Sequence, residues 1–265
     1  MPSFQERYGP WALITGASSG IGAEFARQLA AHRLNLVLVA RRHDRLEHLA
    51  LQLSERHNIR TRTIVADLSQ PDFMSSIRPT TDHLEIGLLV NNAGFGLTGG
   101  LLDNDLEKEL SLLNVNCRAP LILAHEFGRK MAERNRGGII FLASMMGYMS
   151  APLWANYAAS KAYSLFLGEA MWAELRKQGV DVLALCPGAT RTEFARVAGV
   201  REFRGIGMSV APVVSLALRK LGKKPSVIAG WQNRALCLLT KFMPKRLRLA
   251  AWLKILQRIS KDSTS

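Results

Sequence analysis

The chain has 265 residues, 48% of them apolar and 21% charged, so it holds ample material for a buried core and is neither disordered nor low in complexity. Its net charge of +14 is unevenly placed: thirteen Lys and Arg and no Asp or Glu lie between positions 203 and 261, and the remainder carries 22 basic and 21 acidic residues. Three scattered cysteines without CxxC or metal-ligand spacing argue against a disulfide scaffold, and with no run of 18 apolar residues and no apolar signal core in "MPSFQERYGP" no membrane span or secretion signal is expected, so a reducing, cytoplasmic setting is the expectation.

Strand-like and helix-like segments alternate from the start. Trp11–Thr15 (WALIT) is a short apolar run that ends in a Gly-rich turn, and Ile21, Phe25 and Leu29 then fall at helical spacing. Asn35–Ala40 (NLVLVA) reads as a buried strand, followed by the charged helix HDRLEHLALQLSER. Further strands are expected at 62–67, 86–94, 137–144 and 180–188, separated by amphipathic or polar helical stretches. Continuous apolar strands alternating with helices specify an α/β fold, a doubly wound parallel sheet covered on both faces. After Gly188 the regularity weakens into a long connection, then a helix (APVVSLALRKLG), a short strand (PSVIAG) and a helical tail from Trp231. The reading is one domain over 1–230, with a basic amphipathic helical tail over 231–265.

Thr15–Gly22 is TGASSGIG, placed between the first strand and a helix. Glycine lets the backbone turn sharply and approach a pyrophosphate at the helix N-terminus, where free N–H donors collect. A tight turn without a ligand has the same local look, but the first βα junction of a doubly wound sheet favours a dinucleotide. Gly16, Ser18, Ser19, Gly20, Ile21 and Gly22 are therefore candidate cofactor contacts. The second strand ends at Ala40 with Arg41 and Arg42 and no carboxylate for a ribose 2′-hydroxyl. A cation there suits a 2′-phosphate, so Arg41 is assigned to NADP(H) rather than NAD, with Ser18 or Ser19 adding a hydroxyl.

Tyr157 and Lys161, in NYAASKA, lie four apart on a helix face. Spacing alone fits an ordinary pair with apolar stems and wet polar tips. The wider pattern decides otherwise. TGASSGIG, ADL at 66–68, NNAG at 91–94, Asn116 in NVNCRAP, Ser144, YAASK at 157–161 and PGATRT at 187–192 occur in one order, with Ser144 thirteen residues before Tyr157. On these motifs the chain resembles the short-chain dehydrogenase/reductase family from about Trp11 to Gly188, and more loosely to Gly230.

The resemblance implies a Rossmann-like fold and a carbonyl/alcohol oxidoreductase with a catalytic set of Asn116, Ser144, Tyr157 and Lys161. Tyr157 would give a proton to the substrate oxygen, Ser144 would position that oxygen, and Asn116 would hold a water linking Lys161 to solvent. Lys161 would also bind the nicotinamide ribose. An ammonium about 5 Å from the phenol, at an effective dielectric of about 20, is worth roughly 3 kcal/mol, enough to draw the phenol well below its usual value near 10. Asp67 and Leu68 would meet the adenine, Asn92, Ala93 and Gly94 would pack along the cofactor, and Pro187, Gly188, Thr190 and Thr192 would wrap the nicotinamide and phosphates. Family members commonly form dimers or tetramers through the helices that bear Asn116 and Tyr157, so a homodimer or homotetramer is expected.

No metal site is expected, since the six histidines lack ligand spacing, and Cys117 and Cys186 read as small buried hydrophobes. For the substrate, a lid over about 189–210 carries Phe194 and Phe203 with Gly199, Gly205 and Gly207, and "SMMGYMS" adds Met145, Met146, Tyr148 and Met149. Ser144, Met145, Met146, Tyr157 and Phe194 are the candidate substrate contacts, and Phe95 and Leu97 follow the fourth strand. Flexible thioethers and aromatics suit a bulky apolar ketone or aldehyde, of acyl or lipid-like kind. In the tail, Leu249, Trp252, Leu253, Leu256 and Ile259 share one stripe while Lys254, Arg258 and Lys261 gather on another. Such a helix fits an anionic membrane surface, docking on the domain, or a second subunit. No nucleic-acid module accompanies the charge. An NADPH-dependent carbonyl reductase and a membrane-surface or partner-binding protein with little turnover are the two functions this leaves.

Overall fold

Within the strands, alternate residues go to opposite faces and both faces are buried. Ala12, Ile14, Leu36 and Leu38 enter one core, and Trp11, Leu13, Val37 and Val39 the other. The computed structural model describes residues 3–199 and 207–261, with side chains through 257. The elements run α1 (Phe4–Tyr8), β1 (Trp11–Thr15), α2 (Gly20–Ala31), β2 (Asn35–Ala40), α3 (His43–His57), β3 (Thr61–Val65), α4 (Met74–Thr81), β4 (Ile86–Asn91), α5 (Leu106–Leu113), α6 (Ala119–Glu133), β5 (Gly137–Leu142), α7 (Ala155–Leu175), β6 (Val180–Cys186), α8 (Phe194–Val197), α9 (Val210–Lys220), β7 (Ser226–Ile228), α10 (Trp231–Phe242) and α11 (Lys245–Lys261).

The seven strands form one parallel sheet in the order β3-β2-β1-β4-β5-β6-β7. This is a single Rossmann-like domain. The order reverses between β1 and β4, and ligands of open α/β sheets bind beyond the strand C-termini at such a point. Helices α2, α3 and α9 cover one face through Phe25, Leu29, Leu46, Leu49, Val213 and Val214. Helices α4, α6 and α7 cover the other through Ile77, Leu123, Phe127, Met131, Leu167 and Met171. Every site residue discussed below sits at the C-terminal edge of this sheet or on a segment folded over it.

The connection after β6 and the C-terminal tail add to that edge. Of the lid expected over about 189–210, residues 200–206, with Phe203 and Gly205, lie outside the described residues. The part before them is packed: Ala195 and Ala198 join Leu112, Ala151, Trp154 and Tyr157 in a small apolar cluster, and Thr98 Oγ1 donates to the Ala198 carbonyl at 2.9 Å. The tail is helical, as its pattern requires, but it comprises two helices, broken at Met243–Pro244 where proline cannot continue the ladder. Of the expected α11 stripe, Leu249, Trp252 and Leu256 are part-buried, whereas Leu253 is exposed. Arg258, Ile259 and Lys261 lie beyond the described side chains. Among the described residues no helix is long and apolar enough to cross a membrane.

Candidate active site

The Gly-rich turn is pinned from β4. Thr15 Oγ1 accepts from the backbone N–H of Asn92 and of Ala93, each at 3.0 Å, and Asn92 Nδ2 donates to the carbonyls of Thr15 and Gly16 at 2.8 and 3.2 Å. The Asn92 side chain thus braces the turn as well as edging the cleft. Gly16 and Gly20 have φ of +66° and +55°, where a side chain is strained, and a Cβ on Gly16 would stand 2.8 Å from Asn92 Nδ2. Gly22 does not line the cleft: a Cβ there would collide with the Gly16 carbonyl, so its part is close packing of α2 under the turn. No carboxylate occupies the first turn of α2, and the N-cap Ser19 makes no side-chain capping bond. The exposed N–H donors and the absent Cβ atoms fit a pyrophosphate.

At the end of β2 the two arginines part company. Arg42 donates to Ser18 Oγ from Nε and Nη2 at 3.1 and 3.0 Å, to Ser19 Oγ at 2.7 Å, and to Glu193 Oε2 at 2.7 Å. Arg45 and Arg196 also hold Glu193, at 2.9 and 3.2 Å, and the hydrogen bonds from Arg42 and then Arg45 draw its carboxyl down to about 2. Arg41, the residue the sequence favours, edges the cleft with its guanidinium 4.0 Å from Asp67 and its side chain 75% exposed. Asp67 Oδ1 in turn accepts from the backbone and hydroxyl of Ser69. Arg41 is thus the more open of the two to an anion, whereas Arg42 is joined to the serines and held by Glu193.

Ser144 follows β5 and caps a 3-10 turn, Met145–Tyr148, by accepting from Met146 N at 3.1 Å. Tyr157 and Lys161 lie one turn apart on α7, both buried, with Nζ 5.8 Å from the phenol ring centre. Lys161 Nζ donates to the Leu142 carbonyl at 2.7 Å. The phenol is not drawn low, contrary to the expectation from its spacing to Lys161. Burial pushes it above its ordinary value, and the Ser144 hydroxyl only partly offsets that. Burial also brings Lys161 down to about 8. Both groups are driven toward their neutral forms, because burial strips water from the charged ones. Asn116 sits in a π-helical turn, Asn114–Arg118, and is almost fully buried. Its amide donates to the Phe95 carbonyl and Ser160 Oγ at 2.9 and 3.0 Å, and its Oδ1 accepts from Phe95 N at 3.1 Å. Asn116 therefore lies behind the cleft wall and holds the loop after β4. A Cβ on Gly94 would fall 3.0 Å from Asn116 Oδ1 and 3.2 Å from Lys161 Nζ, which keeps that strand exit bare.

One continuous cleft of about 830 Å³ runs from Arg41 to these residues. It is lined by Gly16, Ser18, Ser19, Gly20, Ile21, Asp67, Leu68, Asn92, Ala93, Gly94, Ser144, Tyr157, Lys161, Pro187, Gly188, Thr190 and Thr192, and on the substrate side by Met145, Met146 and Phe194. Among the described candidates for catalysis and binding, Gly22 and Asn116 stand off it, as does Tyr148 of the SMMGYMS segment. Sequence reasoning passed over Trp154, Glu193, Trp252 and Leu256 as wall residues. Trp154, Tyr157 and Phe194 form an aromatic trio with ring centres 5.4–6.2 Å apart. Trp252 and Leu256 reach the same cleft from α11. Burial raises Cys117 to about 11 and Cys186 to about 12, which leaves both as unreactive thiols. Among the described residues no cluster of three or more potential metal ligands occurs.

The family model described as short chain dehydrogenase matches residues 10–201, which contain the whole Gly-rich turn and Ser144, Tyr157 and Lys161. The chain belongs to the short-chain dehydrogenase family. It is accordingly an oxidoreductase acting on CH–OH and C=O groups, in a family that binds nicotinamide cofactors. Over 237 residues it is 34% identical to a 7beta-hydroxysteroid dehydrogenase of Collinsella aerofaciens, covering 88% of this chain and 90% of that one. A solved structure from work on the stereoselectivity of 7beta-hydroxysteroid dehydrogenase superposes with a TM-score of 0.88 at 32% identity, over 95% of this short-chain dehydrogenase and 99% of that chain. A short-chain dehydrogenase from Sphingobium yanoikuyae, solved in complex with NADPH, gives 0.79 at 32% identity over 89% and 97% of the two chains.

Proposed function

We propose that this short-chain dehydrogenase reduces a bulky apolar ketone, of steroid-like or lipid-like shape, with NADPH. The observation that carries the reading is the single cleft joining a cation-edged Gly-rich turn to Ser144 and Tyr157 and then to a chamber of Met145, Met146, Trp154, Phe194, Trp252 and Leu256. Gly16, Gly20 and the start of α2 would hold the pyrophosphate, Arg41 and Arg42 a 2′-phosphate, and Lys161 the nicotinamide ribose. Bound there, NADPH supplies the hydride that reduces the carbonyl carbon.

The chain's own groups supply the rest. Ser144 hydrogen-bonds the carbonyl oxygen and fixes it over the phenol. Tyr157, protonated at neutral pH as any phenol is and more firmly so for its burial, donates the proton that completes the alcohol. Lys161, at about 8, restores that proton and exchanges with solvent. The apolar walls exclude water and select for bulk. The hydroxysteroid dehydrogenases among its relatives and the NADPH complex among its structural neighbours support the substrate shape and the cofactor.

The second part of the reading is assembly. Leu106, Leu110 and Leu113 on α5, Leu121 on α6, and Tyr163 and Phe166 on α7 are all exposed, on the face of the helices around Asn116 and Tyr157. An exposed apolar face of this size supports a homodimer or homotetramer formed through it. The test of the reaction is a panel of ketosteroids, branched ketones, 3-oxoacyl thioesters and small ketones, followed by loss of NADPH absorbance. Turnover confined to bulky apolar members supports the reading. Turnover of only small polar ketones, or with NADH alone, overturns it.

A further inference from the structure

Helix α10 is amphipathic with its apolar side outward. Toward the domain it turns polar groups: Asn233 Nδ2 donates to the Ala229 carbonyl at 2.7 Å, Cys237 approaches the Met145 carbonyl, and Thr240 is buried. Away from the domain it presents Trp231, Leu238, Leu239 and Phe242, which are 75%, 59%, 67% and 79% exposed. Positions i, i+7, i+8 and i+11 form one stripe on a helix of 3.6 residues per turn. The break at Met243–Pro244 continues the surface to Leu247 on α11, also exposed. A stripe on the core side would need no explanation; on the solvent side it requires a partner.

Charge identifies that partner. Arg234, Lys241, Lys245 and Arg246 border the stripe, all exposed, and no carboxylate occurs between positions 203 and 261. Two copies meeting face to face would set these cations against themselves, since a two-fold interface opposes each patch to its own copy. A surface of anionic head groups supplies the missing charge, and its acyl boundary takes Trp, Leu and Phe. We propose that the outer face of α10, with the corner leading into α11, seats the protein on an anionic lipid bilayer. The inference does not depend on the reaction assigned above. It does bear on it, because α11 carries Trp252 and Leu256 into the cleft, so the roof of the site lies next to the seated face.

The test is sedimentation of the full chain with vesicles of phosphatidylcholine alone and of phosphatidylcholine mixed with phosphatidylglycerol. The expected result is binding to the anionic vesicles that weakens with added salt, and little binding to the neutral ones. The double variant Leu238→Ser/Phe242→Ser should lose at least about tenfold in vesicle affinity, since two apolar side chains no longer leave water. Lys241→Gln/Lys245→Gln should lose a similar factor toward anionic vesicles alone. NADPH binding by each variant reports an intact fold. Wild-type protein that stays in the supernatant, or a Leu238→Ser/Phe242→Ser protein that sediments unchanged, overturns the proposal. So does a fall in light-scattering mass in that variant, which would assign the stripe to a second copy.

Discussion

Arg42 Nη1 donates to Glu193 Oε2 at 2.7 Å while the same guanidinium holds Ser18 and Ser19, so one side chain ties the Gly-rich turn to the residue that opens α8. A 2′-phosphate read by Arg42 must take donors that Glu193 now holds. Glu193→Gln should therefore tighten NADPH binding by about tenfold and leave NADH unchanged, because a charge-assisted bond is worth roughly twice a neutral one. Arg42→Ala should weaken NADPH by at least about tenfold and NADH by clearly less, since the turn it holds through Ser18 and Ser19 serves both cofactors. Titration by energy transfer from the tryptophans to the reduced nicotinamide measures both. Wild-type protein that binds the two cofactors equally would withdraw the phosphate role from Arg41 and Arg42 together. A Glu193→Gln protein that gains equally for both cofactors would deny the competition alone.

Tyr157→Phe removes only a hydroxyl from a packed aromatic trio, so the fold and the NADPH affinity should persist. Turnover should fall by about 10²–10⁴-fold, the range that a positioned general acid contributes. Single-turnover reduction of a bulky ketone under saturating NADPH separates the two effects. Loss of less than about tenfold would leave the proton donor to another group.

Much of this was legible because short motifs encode backbone constraints. TGASSGIG states where Cβ atoms are forbidden, and a Cβ on Gly16 would indeed meet Asn92 and Ala93. The strand runs gave the parallel sheet because a strand buried on both faces has no polar alternation to lose. What escaped was long-range. Glu193 lies about 150 positions from Arg42 in the chain, and no local pattern marks a carboxylate that will meet the end of β2. The tail's periodicity announced α11, but not that Trp252 and Leu256 close the cleft, nor that α10 turns its apolar stripe outward. The phenol's raised pKa was missed because charge spacing can be read from sequence and desolvation cannot.

Lys161 carries a stability signature as well as a catalytic one. Its pKa falls from an unfolded value of 10.5 to about 8 in the fold, so the unfolded chain binds the proton more tightly. Stability should then rise with pH between about 8 and 10.5, and the gain is lost as pH falls through 8. At pH 7 the buried ammonium opposes folding by about 3 kcal/mol, partly offset by about 1 kcal/mol from its bond to Leu142. Lys161→Met should thus be inactive yet more stable at neutral pH by about 2 kcal/mol, with the pH slope above 8 flattened. Urea titrations at neutral and alkaline pH test this, and a variant less stable than wild type at pH 7 would show that the lysine is structurally required.

Leu256→Ala and Trp252→Ala test whether the tail takes part in substrate selection. Both side chains are part-buried, and both enter the cleft from α11, which follows the motif-bearing region by some distance in sequence. Truncating either leaves Ser144, Tyr157 and Lys161 untouched, so a small ketone should react as before. A bulky ketone loses apolar contact worth about 1.5–3 kcal/mol for a fully buried side chain, and these are only partly buried. The expected effect is a rise in KM of about tenfold for the bulky substrate, with kcat nearly constant, as befits binding lost equally from ground and transition states. Parallel loss of kcat for large and small ketones would place α11 instead among the supports of the catalytic set.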